Sequence, residues 1–222
     1  MSPMSKKRIY SRSEYISDLV VHVAGIVAVL AAVPAAILIA ATFPTSDWNV
    51  TAASVYGAGL AAMIVCSALY NIFQHEEWEW LLKRLDHSAI YLKIAGTYTA
   101  FVLVAGEGAW IAVSLWATAV AGITLKLVSP YRFRAVSLAL YLGMGWLAAL
   151  AGWELFASFP RPVVILVATG GTLYTIGVAF HLWHRLPHHT TVWHVFVLMA
   201  SFTIYAGFLV AIIAGRAAQA GL

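Results

Sequence analysis

Seven apolar runs divide this chain, and they constrain its fold more than any other feature. They cover residues 18–43, 51–73, 86–105, 109–127, 135–156, 162–183 and 193–214. Each run is close to, or longer than, the length of about 20 residues that crosses the hydrocarbon core of a bilayer as an α-helix. The connecting segments are short and carry most of the charged and helix-breaking residues. We therefore predict an all-α membrane protein with a single seven-transmembrane-helix bundle.

The composition supports this class. Of the 222 residues, 62% are hydrophobic and only 10% are charged, which is too little charge to cover a soluble domain of this size. The single cysteine, Cys66, lies in an apolar run and cannot form an intrachain disulfide. Although the net charge is +4, the basic residues lie at the ends of the runs and form no stripe that would bind nucleic acid. We expect membrane lipids, and no nucleic acid, as partners.

Lysine and arginine positions predict the orientation, because cytoplasmic loops are enriched in both residues. If the N-terminus is cytoplasmic, the outer side receives only Arg161 and Arg216. The inner side then receives Lys6, Lys7, Arg8, Arg12, Lys83, Arg84, Lys126, Arg132, Arg134 and Arg185. We therefore predict a cytoplasmic N-terminus and an external C-terminus. Residues 1–17 would form a cytoplasmic segment, 18–214 an uncleaved seven-helix domain, and 215–222 a short tail.

With this topology, five polar residues fall in the cytoplasmic half of the bundle. They are His22 in the first run, Ser67 and Asn71 in the second, Asp86 at the start of the third and His194 at the start of the seventh. Ser67 and Asn71 are four residues apart and therefore share one helical face. Ionisable side chains at membrane depth are costly, so this polar layer is the predicted functional site.

Long stretches of the sequence resemble the bacterial haemolysin III proteins, which are related to the progestin and adipoQ receptors. The resemblance lies in CSALYN of the second run, RLDHSAIYLKIAGTYT entering the third, and GGTLYTIGVAFHLWHRLP followed by VWHVFVL across the last two. It implies a seven-helix protein of the bacterial inner membrane, with a zinc ion held by three histidines near an aspartate. Such an open zinc site is typical of hydrolases, and the resemblance implies hydrolysis of a lipid amide or ester, with ceramide-like substrates.

The residues of this chain match that zinc site only in part. Ser67 and Asp86 match the family motifs and are the candidate catalytic residues, and His194 matches one zinc ligand. Asn71 and Thr190 occupy the other two ligand positions. Because zinc is held mainly by nitrogen and sulfur donors, an amide oxygen or a hydroxyl replaces imidazole poorly.

Three histidines elsewhere could complete the ligand set. His189 precedes Thr190 by one residue, His75 follows Asn71 by one helical turn, and His22 lies in the first run. Zinc therefore remains a possible cofactor, and a site without metal is the alternative.

Lys93 offers another way to balance the charge of Asp86. It follows Asp86 by seven residues, about 10 Å along a helix and on nearly the same face. The lysine could pair with Asp86 in place of a metal, or its amine could extend along the helix to the cytoplasmic interface.

Three functions follow from these observations. The first is a role in membrane or lipid homeostasis through the polar site, without strong enzymatic activity. The second is a zinc-dependent lipid amide hydrolase, and the third is a pore-forming cytolysin. A pore needs polar residues along its whole length, whereas here they gather in one half of the bundle, so the pore is the least favoured.

Overall fold

The computed structural model of the protein describes residues 11–42, 47–73, 77–128 and 134–219. All regular secondary structure in these ranges is helical. The helices are α1 (Arg12–Thr42), α2 (Asn49–Ile72), α3 (Glu79–Ala105), α4 (Ala109–Val128), α5 (Arg134–Ala151), α6 (Trp153–Ala157), α7 (Arg161–Leu182) and α8 (His189–Gln219). Six of them, all except α5 and α6, are long and apolar enough to cross a bilayer. The predicted class of all-α membrane protein is confirmed.

The two ends of α3 differ in how well the sequence predicts them. Gly106 ends the helix in the left-handed conformation, with φ of 74°, and donates its backbone N–H to Val102. The start lies at Glu79, ahead of residue 86, where the apolar run begins. The charged first turns of α3 are continuous with its apolar part, so Asp86 lies within the helix and not at its first turn.

The fifth apolar run forms two helices instead of the single helix expected over residues 135–156. The chain turns at Gly152, between α5 and α6. A side chain at this position would lie 2.7 Å from the Ala148 carbonyl oxygen and 2.7 Å from the Ile111 side chain, so glycine permits the turn. The 18 residues of α5 alone extend about 27 Å, close to the thickness of the hydrocarbon core.

The helices pack in the order α4, α3, α2, α1, α8 and α7, with additional contacts between α3 and α8. Fully buried aromatic rings fill the centre. Tyr56 of α2 stacks on Phe208 of α8 at 4.7 Å between ring centroids, and Phe101 of α3 meets Phe208 edge to face at 5.8 Å. This order brings the N-terminal ends of α1 and α8 together beside the C-terminal end of α2.

Candidate functional site

A cluster of Asp18, His22 and His194 joins α1 to α8. Asp18 and His22 are four residues apart on α1 and therefore share the face that packs against α8. All three residues are buried, and their potential ligand atoms lie within 4.8 Å of one another. Buried ionisable groups require partners or a metal, so the cluster is the strongest candidate site in the described part of the chain.

Asp18 contacts both imidazoles through their Nδ1 atoms. The His194 Nδ1 lies 2.6 Å from the Asp18 carboxylate, and the His22 Nδ1 lies 2.8 Å from the Asp18 backbone carbonyl. Because a carbonyl oxygen only accepts hydrogen bonds, the Nδ1 of His22 carries the proton, and the carboxylate favours the same tautomer for His194. Both Nε2 atoms then carry a lone pair, which is the arrangement found in metal-binding histidines, although the Ser67 hydroxyl also lies within hydrogen-bonding distance of the His22 Nε2.

Ser67, Asn71 and Asp86 complete the polar layer around the two histidines. The Ser67 hydroxyl lies 3.4 Å from the His22 Nε2 and hydrogen-bonds to the Asp86 carboxyl group. Asp86 also interacts electrostatically with His194 and Asp18. The Asn71 side chain donates to the Ser67 carbonyl at 2.9 Å. The structure thus brings together the five residues that the sequence assigned to one layer: His22, Ser67, Asn71, Asp86 and His194.

Two other sequence candidates, His189 and Thr190, lie apart from this cluster. His189 is buried with its ring 5.6 Å from that of His184, and its Nε2 lies 3.5 Å from the Thr190 hydroxyl. His189 and Thr190 line the same cavity as His194 without joining its ligand group. His75 lies outside the described residues.

Lys93 follows neither of the two arrangements expected from the sequence. Its amine donates to the Thr97 hydroxyl at 2.6 Å and lies 4.1 Å from the centre of the Tyr56 ring. Thr97 is one turn further from Asp86, so the amine extends away from that carboxylate. The side chain is buried, with 4% exposure, and its amine points away from the end of α3 that we predict to be cytoplasmic.

Sequence reasoning missed Asp18, which lies at the boundary of the first apolar run. Its spacing of four residues from His22 was a usable signal, because such a pair lies on one face at the start of an apolar helix. The partner on α8 could not be predicted, since it depends on how α1 packs.

Hydrogen bonds around the start of α8 fix the relative position of the two helices that carry the cluster. The Ser17 hydroxyl lies 2.8 Å from the His188 Nδ1 and 3.0 Å from the Thr191 hydroxyl. Glu14 accepts the backbone N–H of His188 at 3.2 Å. His188 has a φ of 56°, which is uncommon outside glycine, so these contacts hold a strained residue directly before α8.

The cluster lies at the polar end of a large cavity. The cavity has a volume of about 1200 Å³, and His22, Ser67, Asp86 and His194 line one part of it. The rest of its wall is mainly apolar and includes Ile94, Phe101, Trp146, Phe156 and Val167. Ligand sites commonly combine an apolar wall with a few convergent polar groups, and this volume exceeds that of most small-molecule sites.

The donor atoms fit a zinc ion with an open coordination position. Two imidazole nitrogens and one carboxylate are a common ligand set of catalytic zinc. Ligand atoms of one tetrahedral zinc ion lie roughly 3.3 Å apart, given bond lengths of about 2.0 Å. The separation of 2.6 Å between the Asp18 Oδ1 and the His194 Nδ1 is a hydrogen-bond length, so Asp18 orients His194 in this conformation. His22 and His194 would then supply the nitrogen ligands of the ion.

Comparisons with known proteins agree with the resemblance in the motifs. The family model described as haemolysin-III related matches residues 12–205. A haemolysin-3 homolog from Bacillus subtilis (strain 168) is 32% identical over 200 residues, covering 89% of this chain and 93% of that protein. Haemolysin-3 from Bacillus cereus is 36% identical over 191 residues, covering 85% and 87%.

A more distant relative is the human monocyte to macrophage differentiation factor. It is 26% identical over 170 residues, which cover 71% of this chain and 69% of that protein. No solved structure matches the chain. Since the family match includes both helices of the polar cluster and most of the chain, this protein belongs to the haemolysin III family of multi-pass membrane proteins, with a distant relation to the progestin and adipoQ receptors.

Proposed function

We propose that this protein acts on membrane lipids, and that the polar cluster hydrolyses a lipid amide or ester with the help of a zinc ion. One observation carries the proposal: two imidazoles, both held through Nδ1 by Asp18, lie beside Asp86 at the polar end of a mainly apolar cavity. The cavity can accept acyl chains while the polar end receives the bond to be cleaved.

Each residue of the cluster has a distinct role in this proposal. His22 and His194 would hold the metal through Nε2, and Asp18 fixes their orientation. A zinc ion held there would supply Lewis-acid activation of the scissile carbonyl and of the attacking water. Asp86 orients that water and accepts its proton, and the Ser67 hydroxyl holds the Asp86 carboxylate in place. The apolar wall excludes bulk water, which strengthens the electrostatic interactions at the cluster.

The polar cluster lies in the cytoplasmic half of a seven-helix domain in this proposal. The α5 helix, with its short continuation α6, makes the seventh crossing, and the N-terminus is cytoplasmic. The distribution of lysine and arginine supports this orientation. The head groups of inner-leaflet lipids then lie close to the polar end of the cavity.

The test is elemental analysis of the purified protein for zinc, combined with hydrolysis of a fluorescent ceramide and of a matched ester. Asp86→Ala should abolish turnover while the melting temperature remains within a few degrees of the parent, because Asp86 acts on the water. Asp47→Ala is the matched control, since Asp47 is an exposed carboxylate outside the cluster. A parent protein without zinc that cleaves neither lipid would exclude the hydrolase.

The same variant identifies the role of the site if metal is absent. Asp86 would then be a structural partner of Ser67 and His194, and its loss should reduce the free energy of unfolding by about 1 to 3 kcal/mol. Unchanged stability together with unchanged lipid turnover would show that Asp86 has neither role.

Membrane lysis is a second candidate function, and it rests on the name of the haemolysin-3 relative from Bacillus cereus. If the protein forms a lytic pore, purified protein added to dye-loaded liposomes should release the dye. Retention of the dye at every protein-to-lipid ratio would count against this function.

A further inference from the structure

Lys93 places a basic group in the wall of the cavity, apart from the polar cluster. It is the fifteenth residue of α3, and about 10 Å of helix separates it from Asp86. The residue lines the cavity together with Thr97, Tyr98 and Phe101. Only 4% of the surface of Lys93 is exposed, so the amine lies in the interior of the protein and not at its surface.

The partners of this amine do not balance its charge. A protonated lysine has three N–H donors. One reaches the Thr97 hydroxyl, which itself donates to the Lys93 backbone carbonyl, and the Tyr56 ring provides a cation–π contact. In the described ranges, no carboxylate forms an ion pair with Lys93. An anion that entered the cavity beside this amine would supply the charge partner that the described residues do not provide, and it would stabilise the protonated amine.

We propose that Lys93 is an anion subsite that binds the carboxylate of a single-chain lipid whose hydrocarbon chain lies along the apolar cavity wall. A carboxylate fits because one cation and one hydroxyl match a single negative charge with two acceptor atoms. A phosphate head group carries more charge and more acceptor atoms than these donors can satisfy. The large apolar wall near Lys93 provides space for the chain.

This subsite is independent of the proposed hydrolysis, because it requires neither a metal nor turnover. It can therefore be tested by binding alone, with EDTA present throughout so that no metal ion captures the carboxylate. The full-length protein is purified in a neutral detergent, and binding is measured by native mass spectrometry. The ligands are palmitate, 1-hexadecanol and hexadecyl phosphate, which share one chain length and differ in the head group.

The parent protein should bind palmitate at least about tenfold more tightly than hexadecanol, since the ion pair forms in a low-dielectric site. Lys93→Met keeps the volume and removes the amine, so it should bind the two ligands equally. Lys93→Arg should keep the preference. Lys126→Met is the matched control, because Lys126 is also a buried lysine that lines the cavity, and it should keep the preference for palmitate.

Three results would overturn the subsite: equal binding of palmitate and hexadecanol by the parent, a preserved preference in Lys93→Met, or tighter binding of hexadecyl phosphate than of palmitate. A second measurement requires only the parent. The succinimidyl ester of palmitate should acylate Lys93 in preference to Lys126, and free palmitate should block this reaction more strongly than hexadecanol. Equal acylation of the two lysines would also contradict the proposal.

Discussion

Asp18 determines the chemistry of the cluster because it contacts two histidines with different atoms. Its backbone carbonyl holds His22 and its carboxylate holds His194, so one residue fixes both tautomers. The rings meet edge to face with 4.4 Å between their centroids, which leaves little freedom for either to rotate. A pair of imidazoles held in this way has already lost the entropy that metal binding would otherwise cost.

Removing the Asp18 carboxylate should weaken metal binding. Asp18→Ala leaves the His194 Nδ1 without its acceptor, so zinc affinity should fall by about 10- to 100-fold, as is usual when an orienting partner of a ligand is lost. The free energy of unfolding should fall by about 1 to 3 kcal/mol. Chelator competition and thermal unfolding measure the two effects. Asp47→Ala, which removes an exposed carboxylate, should change neither, and an unchanged zinc affinity in Asp18→Ala would contradict the orienting role.

Asn71 is the position at which a third imidazole can be added. Its side chain donates to the Ser67 carbonyl, and the Ser67 hydroxyl in turn contacts His22 and Asp86. Asn71→His should raise zinc affinity by about tenfold or more, because imidazole is a better zinc donor than an amide. The double variant with Thr190→His should bind zinc at least as tightly. Asn71→Ala serves as the control without an imidazole, and equal zinc affinity in all of these proteins would refute the prediction.

At the scale of the helices, close approach depends on small residues at particular contacts. A Cβ atom at Gly57 would lie 2.6 Å from the Val33 side chain of α1, and one at Gly59 would lie 3.3 Å from the backbone of α3. Small residues are the usual means by which membrane helices approach closely. The contacts differ between glycines, since nothing lies within 4 Å of a Cβ atom at Gly145, whereas a Cβ atom at Gly122 would overlap the Tyr91 ring.

Gly122→Ala should therefore separate α3 from α4. The Tyr91 ring is fully buried, so an added methyl group would displace packed atoms and should reduce the free energy of unfolding by about 1 to 3 kcal/mol. Gly145→Ala is the matched control in a helix. It should be neutral or slightly stabilising, because alanine favours a helix over glycine by about 1 kcal/mol. Thermal unfolding in one detergent compares the two variants, and equal melting temperatures would show that the α3–α4 contact is not limiting.

The sequence predicted whole helices better than contacts between them. Hydropathy and length locate α4 almost completely, because the bilayer requires a continuous apolar run. The same rule cannot detect the turn at Gly152, which depends on packing against Ile111. Likewise, the positions of His22, Asp86 and His194 in their apolar runs predicted that the three residues lie at a similar depth in the membrane. These positions could not predict that Asp18 would join them, or that the Lys93 amine would turn toward Thr97, since both depend on side-chain geometry.

For the whole molecule, orientation decides which leaflet supplies ligands to the cavity, and exposed residues in four connecting segments can test it. In a Cys66→Ala background, Asp47→Cys and Ser158→Cys should react with an impermeant maleimide in intact spheroplasts, because they lie on the predicted outer side. Glu77→Cys and Arg185→Cys should react only after the membrane is opened. Asp47 and Glu77 lie beyond opposite ends of α2 and form a matched acidic pair.

The remaining pair, Ser158 and Arg185, lies beyond opposite ends of α7 and tests the number of crossings. If α5 does not cross the bilayer, Ser158→Cys should be protected in intact cells while Asp47→Cys still reacts. If every pattern is reversed, the cluster of Asp18, His22 and His194 lies in the outer half, and its ligands come from the outer leaflet. The predicted pattern instead places the polar end of the cavity beside inner-leaflet lipids, because α1 and α8 would both begin on the cytoplasmic side and carry the cluster in their N-terminal halves.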